Sequence, residues 1–229
     1  MTAQPSLSII IPVLNEAATI VAALDALAPL RARGSEIIVV DGGSGDDTIA
    51  LARPLADFVI TSPRGRAVQM NAGAALARGD ALLFLHADTR LPGEADRLVL
   101  EGLARSKRAW GRFNVTIDGK HPLLPAVAAA MNLRSRLTGI ATGDQAMFAT
   151  REAFDAAGGF PEIALMEDIA LARSLKRMSR PLCLRARATT SGRRWEERGV
   201  LRTILLMWQL RVAYFLGAKP EELAKRYES

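Results

Sequence analysis

Four short runs in the first half of the chain are apolar with almost no polar alternation: Leu7–Leu14, Glu36–Val40, Phe58–Thr61 and Ala81–Leu85. Such runs predict strands covered on both faces. Between them, segments at about 16–30, 47–55, 66–78 and 93–105 carry Ala and Leu at helical spacing. Strand–helix alternation predicts right-handed βαβ units, and so an α/β fold with a mostly parallel sheet flanked by helices. In such sheets the ligand crevice lies beyond the carboxyl ends of the strands.

The second half is less regular. Trp110–Ile117 alternates in part and reads as a strand, and Pro122–Leu137 reads as a helix. A short strand is expected within Thr142–Thr150, a turn at Asp155–Pro161, a helix at Glu167–Met178 and a strand at Leu182–Arg187. Arg198–Leu216 is apolar and helical, followed by a short polar helix at Pro220–Tyr227. No linker, internal repeat or low-complexity segment divides the chain. A single domain is expected, with residues 1–90 binding one ligand, 91–198 the other, and carboxyl-terminal helices over 199–229.

Composition narrows the function. The 229 residues are 49% apolar and 24% charged, enough for a core and too apolar for a disordered chain. The formal charge of +6 is carried by scattered arginines with no basic block, which gives no sign of a nucleic-acid tail and suits an anionic small molecule or an anionic membrane. Cys183 is the single cysteine, so an internal disulfide and a cysteine-based zinc site are excluded and a reducing cytoplasm is expected. The stretch MTAQPSLSIIIPVLNE lacks the basic and apolar regions of a signal peptide. No segment offers about 18 uninterrupted apolar residues. The apolar stretch 200–217 is a candidate membrane contact at the inner face, although packing on the core is the favoured reading.

Each predicted strand ends in polar or glycine-rich residues. After the second comes DGGSGDD (41–47), where glycines permit close backbone approach and Asp41 offers acceptors to a ribose or a base. The competing reading is a loop with Asp46 as a helix cap. It is not a dinucleotide fingerprint, because G-x-G-x-x-G is absent. PRGRAVQMNAG (63–73) sets Arg64 and Arg66 around Gly65 at a helix start, suited to a diphosphate or simply solvated. The fourth strand runs into His86-Ala87-Asp88. Its i, i+2 spacing projects both side chains to one face, and the carboxylate suits a hard divalent ion completed by phosphate oxygens and water. His86 is a softer ligand, better matched to manganese than to magnesium. Glu167 and Asp168 open a helix, where the dipole stabilises carboxylates suited to taking a proton from a hydroxyl; helix capping explains either one singly. Arg193, Arg194 and Trp195 combine phosphate clamps with a face for a sugar ring, or form a basic loop with a half-buried Trp.

Taken together, SIIIPVLNE (8–16), EIIVVDGGSGDDT (36–48), GRAVQMNAG (65–73), LLFLHADT (82–89), GDQAMF (143–148), GGFPE (158–162), MEDIAL (166–171) and GRRW (192–195) resemble family 2 glycosyltransferases of the GT-A fold over nearly the whole chain. The subgroup they look like is the small bacterial transferases named for arsenosugar biosynthesis or as radical-SAM-associated transferase 2. The resemblance implies that Pro12, Glu16 and Asp41 line the base and ribose pocket. It places Arg66 near the donor phosphates, Asp88 on a Mn2+ or Mg2+ ion, and Asp168 as catalytic base with Glu167 beside it. The donor motifs add Asn15, Gly43, Ser44, Gly65, Asn71, His86 and Ala87. Gly143, Asp144, Gln145, Arg194 and Trp195 fall to the acceptor and phosphate side. His86 stands where the family has an acidic residue, and Ser191 where processive relatives have Gln.

The function expected is metal-dependent, inverting transfer of a sugar, most simply a hexose, from a nucleotide diphospho-sugar to the hydroxyl of a small-molecule or lipid acceptor. The rivals are nucleotidyl transfer, disfavoured by VLNEAAT after the first strand in place of a basic glycine-rich loop, and a non-catalytic nucleotide-sugar-binding protein.

Overall fold

The computed structural model describes residues 6–228. The first five residues of the stretch read against a signal peptide lie outside the described residues, as does the last residue of the carboxyl-terminal segment. The amino half follows the expected alternation: β1 (Leu7–Val13), β2 (Glu36–Asp41), β3 (Phe58–Thr61) and β4 (Ala81–Phe84), with α1 (Ile20–Asp25), α2 (Ala28–Ala32), α3 (Thr48–Ala52), α4 (Arg66–Leu76) and α5 (Ala95–Ser106). The single helix expected over 16–30 is two short ones. Pro29 sits in the first turn of α2, where its missing N–H costs nothing, whereas in a continuous helix it would remove a hydrogen bond and clash with the preceding turn.

All four strands run parallel, in the order β3-β2-β1-β4, with Ile9 opposite both Ile37 and Leu83. Odd and even positions pack into two separate clusters. Ile9, Ile11, Val39 and Leu83 meet Ile20, Leu24 and Leu27 on one face, while Ile10, Val40, Leu82 and Phe84 meet Met70, Phe154 and Leu175 on the other. Burial on both faces is why these runs show no polar alternation. Helix α4 sits close on the sheet because of Gly73: a Cβ there would lie 2.5 Å from Ile10 and 2.9 Å from Val40.

The sheet then becomes mixed. It continues β4-β7-β6-β8-β5, through β5 (Thr89–Arg90), β6 (Trp110–Asp118), β7 (Phe148–Thr150) and β8 (Leu182–Ser191), with β7 antiparallel to β4 and β6, and β8 parallel to β6 and antiparallel to β5. Helices α6 (Leu124–Thr138), α7 (Arg151–Ala156), α8 (Glu167–Met178), α9 (Arg193–Arg198), α10 (Val200–Phe215) and α11 (Pro220–Glu228) complete the fold. Three expectations change here. Part of the turn expected at 155–161 is the end of α7. The strand expected at 182–187 extends to Ser191, because β6 pairs along it to that residue and β5 adds a second partner at Thr189 and Thr190. Residues 193–198, for which a basic loop is one of the two readings, are helical.

Strand directions in the mixed half bring distant segments to the crevice. Because β7 runs against β4, the turn before β7 lies at the carboxyl end of β4, where Phe84 N donates to Met147 O at 2.9 Å. β8 runs the same way as β4, so its carboxyl end reaches the same rim, where Ser191 N donates to Asp88 O at 3.1 Å and α9 follows. Behind this rim, Arg112 is fully buried and ties β6 to α6. It donates to Ser135 Oγ at 3.1 Å and to the carbonyls of Phe113 and Asn132 at 3.2 and 3.1 Å.

Candidate functional site

Beyond the carboxyl ends of β1 and β4 lies a cleft of about 280 Å³. One wall holds Pro12, Glu16, Arg66 at the start of α4, and the His86-Ala87-Asp88 run. The facing wall holds Thr142, Gly143, Asp144, Glu167, Asp168 and the Arg193-Arg194-Trp195 turn, with Thr203, Met207 and Arg211 of α10 closing it. β2 and β3 fan away on one side of β1 while β4 lies on the other, so the crevice opens where the strand order switches.

The loops of the first wall are shaped by their own carboxylates. Asp41 is fully buried; it accepts from Gly43 N at 2.8 Å and Ser44 N at 2.9 Å, and also from the Ser44 hydroxyl. Asn15 adopts a positive φ of 54°, a conformation Asn tolerates, and binds Ser44 Oγ through its backbone N–H and Gly45 N through its side chain. Glu16 N donates to Thr48 Oγ1 at 2.8 Å. These bonds hold the first two strand ends together as one rim.

Across the cleft, Asp168 accepts from Gly143 N at 2.8 Å and Ile169 N at 2.6 Å, which fixes its carboxylate at the start of α8. Met166, just before this helix, takes the left-handed conformation at φ 71°, uncommon for a side chain of its size. Glu167 is buried beside it, its Oε1 3.9 Å from Arg66 Nη1. Burial first, and then the Asp168 charge, pushes the Glu167 pKa above the usual carboxylate range against the pull of Arg66. Asp144 behaves oppositely. Desolvation acts to raise its pKa but is outweighed by His86, Arg66 and Arg211, which together hold it low. His86 Nδ1 lies 3.6 Å from Asp144 Oδ1, and its ring fills the space a Cβ at Gly143 would need.

Arginines crowd behind these acids. Arg134 is pushed down to about 10 by burial and by the Arg211 charge, with Asp168 and Asp144 opposing. Its Nε and Nη2 are buried without hydrogen-bond partners. Arg211 and Arg194 are also lowered, chiefly by burial.

Of the donor-side residues expected from the sequence, Pro12, Glu16, Arg66, His86, Ala87 and Asp88 line the cleft together. Asn15, Asp41, Gly43, Ser44 and Gly65 shape adjoining loops instead. Asn71 is turned away: it exchanges hydrogen bonds with the backbone of Phe160 at 2.8 and 2.9 Å. Glu167, Asp168, Gly143, Asp144, Arg194 and Trp195 line the opposite wall, whereas Gln145 is fully buried with its amide toward Asn132 at 3.3 Å. Reading the sequence missed Thr203, Met207, Arg211, Arg134 and Tyr227. An arginine interrupting an apolar helix, in i, i+4 phase with Thr203 and Met207, was the available signal for Arg211.

The family model for glycosyl transferase family 2 matches residues 8–155, covering β1 through most of α7. The chain belongs to glycosyl transferase family 2. A PGL/p-HBAD biosynthesis glycosyltransferase of Mycobacterium tuberculosis is 43% identical over 103 residues, 42% of this chain and 40% of that protein. The chain therefore matches well under half the length of this curated relative. Among solved structures, S. aureus TarS 1-349 in complex with UDP-GlcNAc aligns with a TM-score of 0.67 at 18% identity, over 81% of this chain and 58% of that one. The Pyrobaculum calidifontis mannosyltransferase PcManGT, in complex with GDP-Man and Mn2+, aligns with a TM-score of 0.66 at 21% identity, over 99% and 70%. At these identities the likeness establishes the fold, which is that of the GT-A glycosyltransferases.

For a family 2 chain a divalent ion is implied, and the residues accommodate one in a particular way. Among the described residues no three His, Cys, Asp or Glu side chains converge. Asp88 is exposed in the cleft, while His86 is committed to Asp144 and packed on Gly143. One carboxylate with an open front fits a hard ion that takes its remaining ligands from donor phosphates and water. No helix among the described residues is long and apolar enough to cross a membrane.

Proposed function

We propose that the cleft transfers a sugar, most simply a hexose, from a nucleotide diphospho-sugar to an acceptor hydroxyl, with inversion. The observation that carries this reading is the facing pair, Asp88 on one wall and Asp168 on the other, in a single cleft with Arg66 and Arg194 between strand ends and helix starts. The acceptor oxygen forms a bond to the anomeric carbon and its proton passes to Asp168. The bond from the anomeric carbon to the diphosphate breaks, and the electron pair leaves with the nucleoside diphosphate. Attack from the Asp168 side, opposite a leaving group on the Asp88 side, inverts the centre.

The residues act on charge and on position. A divalent ion on Asp88, Mn2+ or Mg2+, supplies Lewis-acid stabilisation of the departing diphosphate when bound. Arg66 and Arg194 add fixed positive charge to the same oxygens. Gly143 N and Ile169 N orient the Asp168 carboxylate toward the acceptor. In this reading residues 1–90 bind the donor, 91–198 hold the acceptor and the base, and 199–229 close the cleft. The motifs LHADT and RRW support the small bacterial subgroup named for arsenosugar biosynthesis or as radical-SAM-associated transferase 2. A lipid acceptor would set residues 200–217 against a membrane surface.

A thermal-shift screen of UDP-, GDP- and dTDP-sugars, with and without manganese, tests the donor side. One donor is expected to raise the melting temperature more with manganese present, and nucleoside diphosphate release should follow on adding acceptor. Asp88→Ala is expected to abolish the manganese-dependent part of that shift. An equal shift with and without manganese in the parent chain would remove Asp88 from its role.

A further inference from the structure

Helix α10 carries apolar residues on both its sides, yet only one side is packed. On the inner side Val200 joins Leu124, Ala128 and Met131 of α6, and Leu210 joins Ile169 of α8 and Leu223 of α11. The outer side presents Leu201, Leu205, Trp208, Val212 and Phe215, all exposed. Their spacing of four, three, four and three residues keeps them on one helical face. Leu216 is exposed at the end of the same strip. A helix with no polar face is ordinarily covered all round, and a continuous exposed apolar patch marks an interaction surface.

Charge decides what covers it. From Gly199 to Pro220 the chain holds no Asp or Glu, and from Ile169 to Trp195 it holds none either. Cations of the second stretch stand at the carboxyl end of the strip, on the exposed side of α8. The Arg173 guanidinium lies 5.5 Å from the centre of the Phe215 ring, and Lys176 and Arg177 follow three and four residues on, both exposed. Lys176 Nζ donates to Thr138 O at 2.6 Å, next to exposed Leu137 of α6. The acids that begin and follow these stretches belong elsewhere. Glu167 and Asp168 open α8 in the cleft. Glu221 and Glu222 open α11, which packs through Leu223 on Leu210, the side of α10 opposite the strip.

We propose that the outer face of α10 rests on an anionic lipid bilayer, with Arg173, Lys176 and Arg177 meeting the headgroups and Trp208 lying at the interface. Docking in this sense does not depend on the cleft transferring sugar or on which acceptor it takes. It sets an orientation. The inner edge of the same helix places Thr203, Met207 and Arg211 in the cleft, so docking brings the cleft within about 10 Å of the lipid, one helix diameter. A second copy of the chain is the competing cover. Two α10 strips paired about a two-fold axis would bring the α8 cations of one copy toward cationic surface of the other, Arg202 included, whereas an anionic surface answers all of them.

Flotation of the full chain with vesicles of phosphatidylglycerol and phosphatidylcholine in equal parts, against phosphatidylcholine alone, tests the proposal. Binding to the anionic vesicles is expected, weakened by salt, with binding to the neutral ones at least about tenfold weaker. Leu205→Gln combined with Val212→Gln, and separately Arg173→Glu, should each weaken binding by about tenfold while the thermal melt stays that of the parent chain. Arg105→Glu makes the same charge change in α5, on the other sheet face, and should cost less than about threefold. Trp208→Phe should keep binding and remove most of the blue shift in emission that vesicles induce. Equal binding to both vesicle types, indifference to the α10 double variant, or equal losses from Arg105→Glu and Arg173→Glu would overturn the proposal. Absence of vesicle binding would also overturn it; a dimer in light scattering that the α10 double variant dissociates would then assign the strip to a second copy. Vesicle binding is read without donor, so its failure leaves the transfer reading intact, and a missing donor-induced melting shift leaves docking intact.

Discussion

The two walls of the cleft are built on opposite principles. On the first wall, polar groups are spent on their own loops: buried Asp41 on Gly43 and Ser44, exposed Asn15 on Gly45, half-buried Glu16 on Thr48 and Thr19. That wall is a rigid rim before any ligand arrives. On the opposite wall, charges are brought together and left only partly answered. Glu167 is buried beside Asp168, and Arg134 is buried with two nitrogens unpaired. Arg211 is half-buried among other charges, and the exposed Arg194 stands at the edge of the same group. Unanswered charge in a low-dielectric site interacts strongly with whatever charge a ligand brings. In the proposed reading, the first wall fixes where a nucleotide sits, and the second reserves its electrostatics for reaction and acceptor.

The sharpest way to break this contrast is Asp168→Asn. It keeps the shape but removes the charge and turns one of the two accepting oxygens into an NH2 donor, so transfer should fall by about 10²- to 10⁴-fold, the usual range for a general base, while the donor-induced melting shift persists. Donor affinity lost in parallel would move Asp168 to the donor wall. The reciprocal change, Asp41→Ala, should act through structure. Two backbone N–H groups and a hydroxyl lose a buried acceptor, for a loss of about 1–3 kcal/mol in urea unfolding together with weaker donor binding. A variant that binds donor normally would show the rim does not depend on that carboxylate.

The smallest effect concerns Glu167 and sharpens the comparison through pH. Its pKa is raised in the fold, so the folded state loses stability relative to the unfolded chain as pH rises through that raised value. Glu167→Gln should therefore melt higher than the parent chain at neutral pH, with the difference vanishing in acid, where both states of the parent hold the proton. A chain of this size moves about 2–4 °C per kcal/mol, so calorimetric melts across pH resolve the effect. A difference independent of pH would mean that the Arg66 contact, rather than burial, governs this side chain.

Much of the donor wall was legible in the chain. Apolar runs without alternation located β1 to β4 within a residue or two, because strands buried on both faces admit nothing else, and the polar residues that follow them necessarily share one edge of a parallel sheet. The limits of that reading are instructive. Asn71, inside a convincing motif, serves the backbone of Phe160, and Asp41 faces its own loop, since a motif shows which residues travel together and not which way each side chain turns. His86 in the sequence favoured a ligand over a packed ring; the structure sets it against Asp144 and Gly143.

By itself, then, the sequence determined the alternating amino half, the family, and the acids and arginines available for chemistry, because periodicity and short motifs are local properties. Tertiary structure alone decided that β7 reverses direction and that β6 and β8 return to the direction of β4, and that arrangement carries Asp144, Arg194 and α10 across to Asp88. Antiparallel pairing joins residues a hundred positions apart, as Thr89 meets Thr190, through hydrogen bonds that leave no period in the chain. The same long-range packing turned an apolar helix into both a wall of the cleft and an exposed apolar strip.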